Sequence, residues 1–252
     1  MTKHVLQKLR SDIRRLDHTA LSGRAEADVI PFGAPAVDRS LPWGGLPRGA
    51  LHEIGTPPKA APSFFASAAG FAAALLARSV APSGMAIWCQ NRRRARRYGQ
   101  IYGPGLAPYG LDPNRLLMVN AESDADVLWV MEEGLRSSAI QAVLGEVAGL
   151  DLTASRRLQL AAEKSGSTAF LLRGPEGAAG NNAALTRWHV RPFILPQEVD
   201  KTGAEQVTGW QVALWRCRGG GPAEWKVMWK DEAFYCHMAG AMADRLPAAA
   251  VC

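Results

Sequence analysis

Gripping a nucleotide takes a strand, a glycine-bearing loop and a helix whose first amides, with a lysine, hold the phosphates. The stretch GALHEIGTPPKAAPSFF, residues 49–65, has that outline. The required spacing is a glycine, four residues, then Gly-Lys and a hydroxyl residue. Counted from Gly55, those three positions hold Ala60, Ala61 and Pro62. Lys59 and Ser63 stand nearby, but Lys59 precedes the position from which a lysine reaches terminal phosphates, and Pro62 has no amide to donate. A shifted loop built on Gly55, Lys59 and Ser63, serving a weak ATPase, is the alternative. In IWCQN, where hydrolysis needs a carboxylate to orient the attacking water, Gln90 is a neutral amide that cannot act as a base. Glu146, closing the run AVLGE, is either a relic metal contact or a strand-end carboxylate bonded to amides or a basic side chain. Without the lysine and hydroxyl the second reading is preferred, and the expectation is no catalysis, no cofactor and no metal.

Two clusters point to binding instead. Arg92, Arg93, Arg94, Arg96 and Arg97 put five guanidiniums within six positions, and like charges this close repel unless solvated or matched by anions. They fit DNA phosphate or an acidic protein face; equally they fit a solvated helix surface paired to Glu132, Glu133 or other carboxylates. Arg187 and Trp188, in TRWHVR, form a second basic-aromatic group. Trp188 either stacks on an unpaired base or is a core residue of an alternating segment. His52, His189 and His237 are too dispersed for a metal set, and Cys89, Cys217, Cys236 and Cys252 form no CxxC pair, so they read as free thiols.

The elements that must carry these residues alternate. Strands are expected at Leu51 to Ile54, Met85 to Cys89, Leu116 to Val119, Ala142 to Glu146 and Ala169 to Arg173. Between them helices begin near Ser63, run from Asp124 to Ser138 with Ser123 or Asp124 as cap, and run from Ala154 to Lys164, closed by Gly166. In the first, Phe64, Ala68, Phe71 and Leu75 share a face. Such alternation means parallel pairing with crossover helices. After Pro196, Trp210 to Cys217 and Trp225 to Lys230 alternate apolar and polar around RGGGPAE, an antiparallel hairpin extending the main sheet. Leu6, Leu9, Ile13 and Leu16 recur at helical spacing in an N-terminal helix with a basic opposite face. Residues 18–36 read as a linker behind it. The domains are therefore 1–22, the helix and the start of its linker, and 23–252, an α/β core with its hairpin.

The 252 residues, 48% apolar and 21% charged, suit one sizeable core, and the net charge of +6 mildly favours acidic partners. MTKHVLQKLR is charged throughout, unlike a secretion signal, and the apolar stretch from Ser63 to Leu76 is shorter than the roughly 20 residues that span a bilayer. A cytoplasmic location with no membrane contact is expected.

GGLPRGALHEIG, residues 44–55, resembles the start of the RecA ATPase core. With YGPGLAPYGLDPNRLLMV, VLWVMEEGLRS, the strand carrying Gly145 and Glu146, and TRWHVRPF, the chain resembles the ImuA family from about Leu41 to Trp229. That resemblance implies a mainly parallel RecA-like sheet with flanking helices and a degenerate phosphate loop. It also implies a role in SOS-induced mutagenesis and translesion DNA synthesis beside ImuB, a Y-family polymerase relative, and contact with RecA. By analogy with RecA, Leu6, Leu9, Ile13 and Leu16 would mediate association with RecA, ImuB or another copy, and Thr186 to Arg191 would fall among DNA-contacting loops, contact with DNA being direct or indirect. A SulA-type cell-division inhibitor and a stand-alone DNA-binding module are the other readings.

Overall fold

The computed structural model describes residues 28–176, 180–193, 208–230 and 232–236. The N-terminal helix proposed for residues 1–22, His237 and Cys252 lie outside them. The described chain opens with a two-stranded ladder of β1 (Val29–Ile30) and β2 (Leu46–Pro47), with the short helix α1 (Pro35–Asp38) between. This stretch is not merely a linker. Ile30, Phe32 and Ala34 are buried, and the Phe32 ring lies 5.3 Å from that of Trp188, because small and apolar side chains there cover one edge of the core.

The remaining strands are β3 (Leu51–Gly55), β4 (Met85–Asn91), β5 (Leu116–Ala121), β6 (Ile140–Val147), β7 (Thr168–Arg173), β8 (Thr186–Phe193), β9 (Thr208–Cys217), β10 (Ala223–Lys230) and β11 (Ala233–Cys236). They form one sheet in the order β11-β10-β9-β8-β3-β7-β6-β4-β5. From β8 to β5 every pairing is parallel; β8-β9, β9-β10 and β10-β11 are antiparallel. The fold is α/β and RecA-like, with the tryptophan-rich hairpin added to the main sheet.

Burial on both faces explains the apolar strand runs. Ile54, Trp88, Leu144, Phe170 and Leu172 pack with α2 (Phe64–Arg78), while Leu51, Ile87, Cys89, Val143 and Leu171 pack under the other helices. In α2 the buried aromatic at the start is Phe65, stacked on Tyr98 at 4.4 Å, and not Phe64. The short helix α3 (Arg92–Tyr98) follows β4 directly. Helix α4 (Asp124–Arg136) starts in a capping box of Ser123 and Asp126, and a Cβ on its Gly134 would lie 2.7 Å from Ile87, so the missing side chain lets the helix sit close on the sheet. Helix α5 (Leu152–Ser165) is capped by Asp151 and ends on left-handed Gly166, φ 79°.

His52 is fully buried on β3. Its Nε2 faces the Pro47 carbonyl at 2.9 Å and its Nδ1 faces the Thr186 hydroxyl at 2.7 Å, while Trp188 Nε1 donates to that hydroxyl oxygen at 2.8 Å. The network is satisfied when Nε2 carries the proton and the hydroxyl donates to Nδ1. Burial holds the imidazole down to about 4, the Pro47 hydrogen bond opposing that only in part. Its ring resonances should therefore stay unchanged in NMR from pH 8 to pH 5; a titration midpoint near 6.5 would mean that the ring reaches solvent.

No helix among the described residues is long and apolar enough to cross a membrane. Cys89, Cys217 and Cys236 form no disulfide among the described residues.

Candidate functional site

In parallel α/β sheets ligands bind beyond the carboxyl ends of the strands, and here that edge is occupied by the protein itself. The loop after β3 turns back on its own carbonyls: Ala60 N donates to Pro57, Phe64 N to Ala61 and Phe65 N to Pro62, at 2.9–3.2 Å. Thr56 N is spent on Arg173 O at 3.2 Å. Amides so engaged cannot converge on a phosphate. Lys59 is exposed and sits at φ 61°, a left-handed conformation strained for a non-glycine residue. Ser63 occupies the cap position of α2 without a capping hydrogen bond and faces solvent. Gly55 packs against β7, where a Cβ would lie 3.1 Å from Arg173 O.

Behind that loop Glu146 is wholly buried on β6. One carboxylate oxygen accepts from Trp88 Nε1 at 2.8 Å and Gln90 Nε2 at 3.0 Å; the other, Oε2, has no partner. Gln90 Oε1 in turn accepts from Ile101 N at 2.9 Å, so this amide pins the chain after α3. Burial pushes the Glu146 carboxyl up to about 7, with the Trp88 and Gln90 hydrogen bonds and the Arg94 charge pulling it down less strongly.

Arg94 projects from α3 beside the stacked Phe65–Tyr98 pair, its Cζ 5.2 Å from Phe65 and 5.3 Å from Tyr98. Its NH1 pairs with Glu176 at 3.3 Å, while Nε and NH2 are buried without partners. A guanidinium packed beside two rings is held by dispersion and the ring quadrupoles. Arg94 and Tyr98 are four residues apart on one helix face, the one sign in the sequence that this arginine differs from its neighbours. The chemistry this assembly supports is structural: an internal cation and two rings fill the edge, with Glu146 beneath.

No protein-family model matches the chain. It is similar to Protein ImuA of two strains of Caulobacter vibrioides, NA1000 / CB15N and ATCC 19089 / CIP 103742 / CB 15. Each is 32% identical over 212 residues, covering 80% of this chain and 84% of the relative. The chain belongs to the ImuA family.

In this ImuA-family chain the arginine run divides. Arg94 is buried, so it is withdrawn from any partner-contacting set. Arg92 pairs with Glu122 and Arg97 with Glu176, whereas Glu132 and Glu133, expected as partners of the run, are held by Arg136, with Arg157 also on Glu132. Arg93 and Arg96 are exposed and make no ion pair among the described residues. The run borders a cleft of about 440 Å³ that is also lined by Asn91, Ser123 and Glu176.

Arg187 and Trp188 are corrected as contacts for a partner or for DNA. They lie on β8, which is a strand between β3 and β9 and not a loop. Trp188 is fully buried against Phe32 and Trp225, so neither of its faces can meet a base. Arg187 is buried on Glu53, with Nε to Oε2 and NH2 to Oε1 both at 3.0 Å. Arg173 joins the same carboxylate at 2.9 Å and Asn182 also donates to it. Glu53 was not singled out in the sequence; a lone acid inside a strand otherwise buried throughout was the available sign. Among the described residues no group of three or more His, Cys, Asp or Glu side chains could hold a metal ion.

Proposed function

We propose that this ImuA-family protein is a non-catalytic scaffold of SOS-induced translesion synthesis and mutagenesis, which holds an ImuB-type polymerase subunit and RecA in the cytoplasm. The observation that carries the non-catalytic part is Arg94, packed beside the stacked Phe65 and Tyr98 rings at the strand ends where a nucleotide would need open space. The self-bonded loop amides and the fully engaged Gln90 support the same reading.

A scaffold needs a surface for its partner, and β5 supplies one. It is one edge of the sheet, its outer side unpaired among the described residues, and carries Leu117 at 50% and Met118 at 43% exposure; Trp129 on α4 is 62% exposed. Edge strands with apolar side chains invite a partner. Sedimentation of the protein with an ImuB-type subunit and with RecA, singly and together, is expected to give complexes. Trp129→Glu combined with Leu117→Glu should weaken the polymerase-subunit complex roughly tenfold or more. Lys59→Ala should leave assembly and background nucleotide turnover unchanged. Absence of every complex, or turnover that falls in Lys59→Ala, would overturn the proposal.

A further inference from the structure

Helices α4 and α5 cover one face of the sheet only as far as β3. Beyond it, the same face of β8, β9 and β10 has no described element packed on it. The other face of these strands carries Trp188, Val190, Trp210, Val212, Trp225 and Val227 into the core. By alternation the face opposite these carries His189, Arg191 and Phe193 from β8, Gln211, Ala213 and Trp215 from β9, and Glu224, Lys226 and Met228 from β10.

An uncovered sheet face is ordinarily dressed in small polar side chains. This one is aromatic and basic. His189 and Trp215 stack at 5.3 Å with their planes 25° apart, and Arg187 Cζ supports the indole from beneath at 4.1 Å. His189 Nε2 and Trp215 Nε1 are buried at the edges of this half-buried pair and have no hydrogen-bond partner among the described residues. Farther along, Lys226 Nζ lies 4.9 Å from the Phe193 ring centre. Arg191, Gln211 and Lys226 form one row across the three strands. His189, Ala213 and Glu224 form the adjacent row, in which Gln211 engages the acid. Ala213 and Gly209 on the central strand leave a shallow floor between the taller side chains.

We propose that this face of β8–β10 binds single-stranded nucleic acid, with Trp215, His189 and Phe193 as stacking surfaces and Arg191 and Lys226 as phosphate contacts. Ring faces alternating with cations on an open sheet suit unpaired bases, whose π-faces are available, whereas a duplex hides them. On β8 the residues 189 and 193 stand about 13 Å apart at ~3.3 Å per residue, with Arg191 between them. An acidic protein segment would use the cations and leave the rings idle. The proposal does not depend on which proteins the scaffold holds, and it replaces the buried Trp188 by the half-buried Trp215 as the base-contacting tryptophan.

The test is fluorescence anisotropy of the full-length protein with a fluorescein-labelled oligo(dT) and with a duplex of equal length, across a salt series. Oligo(dT) should bind more tightly than the duplex. Trp215→Ala should weaken it roughly fivefold or more. Arg191→Gln with Lys226→Gln should reduce the slope of log affinity against log salt by about 1.4, the two lost phosphate contacts. That surface pair needs no core change, so it remains informative if Trp215→Ala unfolds. Arg93→Gln with Arg96→Gln should leave binding intact. No oligo(dT) binding by the wild type at low salt would overturn the proposal. So would an Arg191/Lys226 pair with unaltered binding, losses seen in the Arg93/Arg96 pair instead, or equal competition by polyglutamate.

Discussion

Glu53→Ala is expected to destabilise the fold by roughly 3–5 kcal/mol, the cost of breaking a buried ion pair from one side. Glu53 and Arg187 are directly opposed on neighbouring parallel strands, and Arg173 reaches the same carboxylate from β7 on the other side. The three side chains are almost fully buried. Removing the carboxylate takes from two neighbouring guanidiniums the anion they share in a low-dielectric setting. Desolvation already draws Arg187 below its ordinary value, the Glu53 hydrogen bond and charge opposing that fall. Urea unfolding at pH 7 should show the lower midpoint with an unaltered slope. Glu53→Met with Arg173→Met and Arg187→Met should recover much of the loss, because an apolar cluster of similar volume has no charges to desolvate. A loss under about 1 kcal/mol in Glu53→Ala would mean that the guanidiniums reach water.

Glu146→Gln is expected to move stability the other way, and only above acid pH. In the folded protein the Glu146 carboxyl is raised from 4.5 to about 7, chiefly by burial. Below pH 4.5 the group is protonated in both folded and unfolded chains and contributes no pH dependence. Between 4.5 and 7 the unfolded chain releases its proton first, so folding loses stability as pH rises. Above 7 the cost is constant at about 3 kcal/mol. Glutamine removes the ionisation while keeping an oxygen for Trp88 and Gln90. The stability difference between Glu146→Gln and wild type should therefore grow by about that amount from pH 4.5 to pH 8. His52 and His189, both held down to about 4 chiefly by burial, lose stability on acidification through the same window. They do so equally in both proteins and drop out of the difference. A difference that does not vary with pH would mean that Glu146 ionises freely, with water or a cation at Oε2.

What the residues determined by themselves is whatever depends on neighbours in the chain. The failed phosphate-loop spacing at Ala60, Ala61 and Pro62 is local, and so are the parallel strand runs, the Asp124 and Ala154 helices, the Gly166 stop and the hairpin alternation of Trp225, Val227 and Trp229. The tertiary structure alone decided which side of each element meets water. Trp188 and Trp215 belong to equally alternating strands, yet one is core and the other half-buried, because they face opposite sides of the sheet and the described helices on the Trp215 side reach only to β3. Arg94 and Arg93 are adjacent in sequence, but only Arg94 points between Phe65, which follows β3, and Glu176, which follows β7. Residues 30–34 looked like linker because their apolar partners, Phe71, Trp188 and Phe234, come from positions far along the chain. Spacing along one element fixes which residues share a face; the order in which distant strands pair fixes what that face meets.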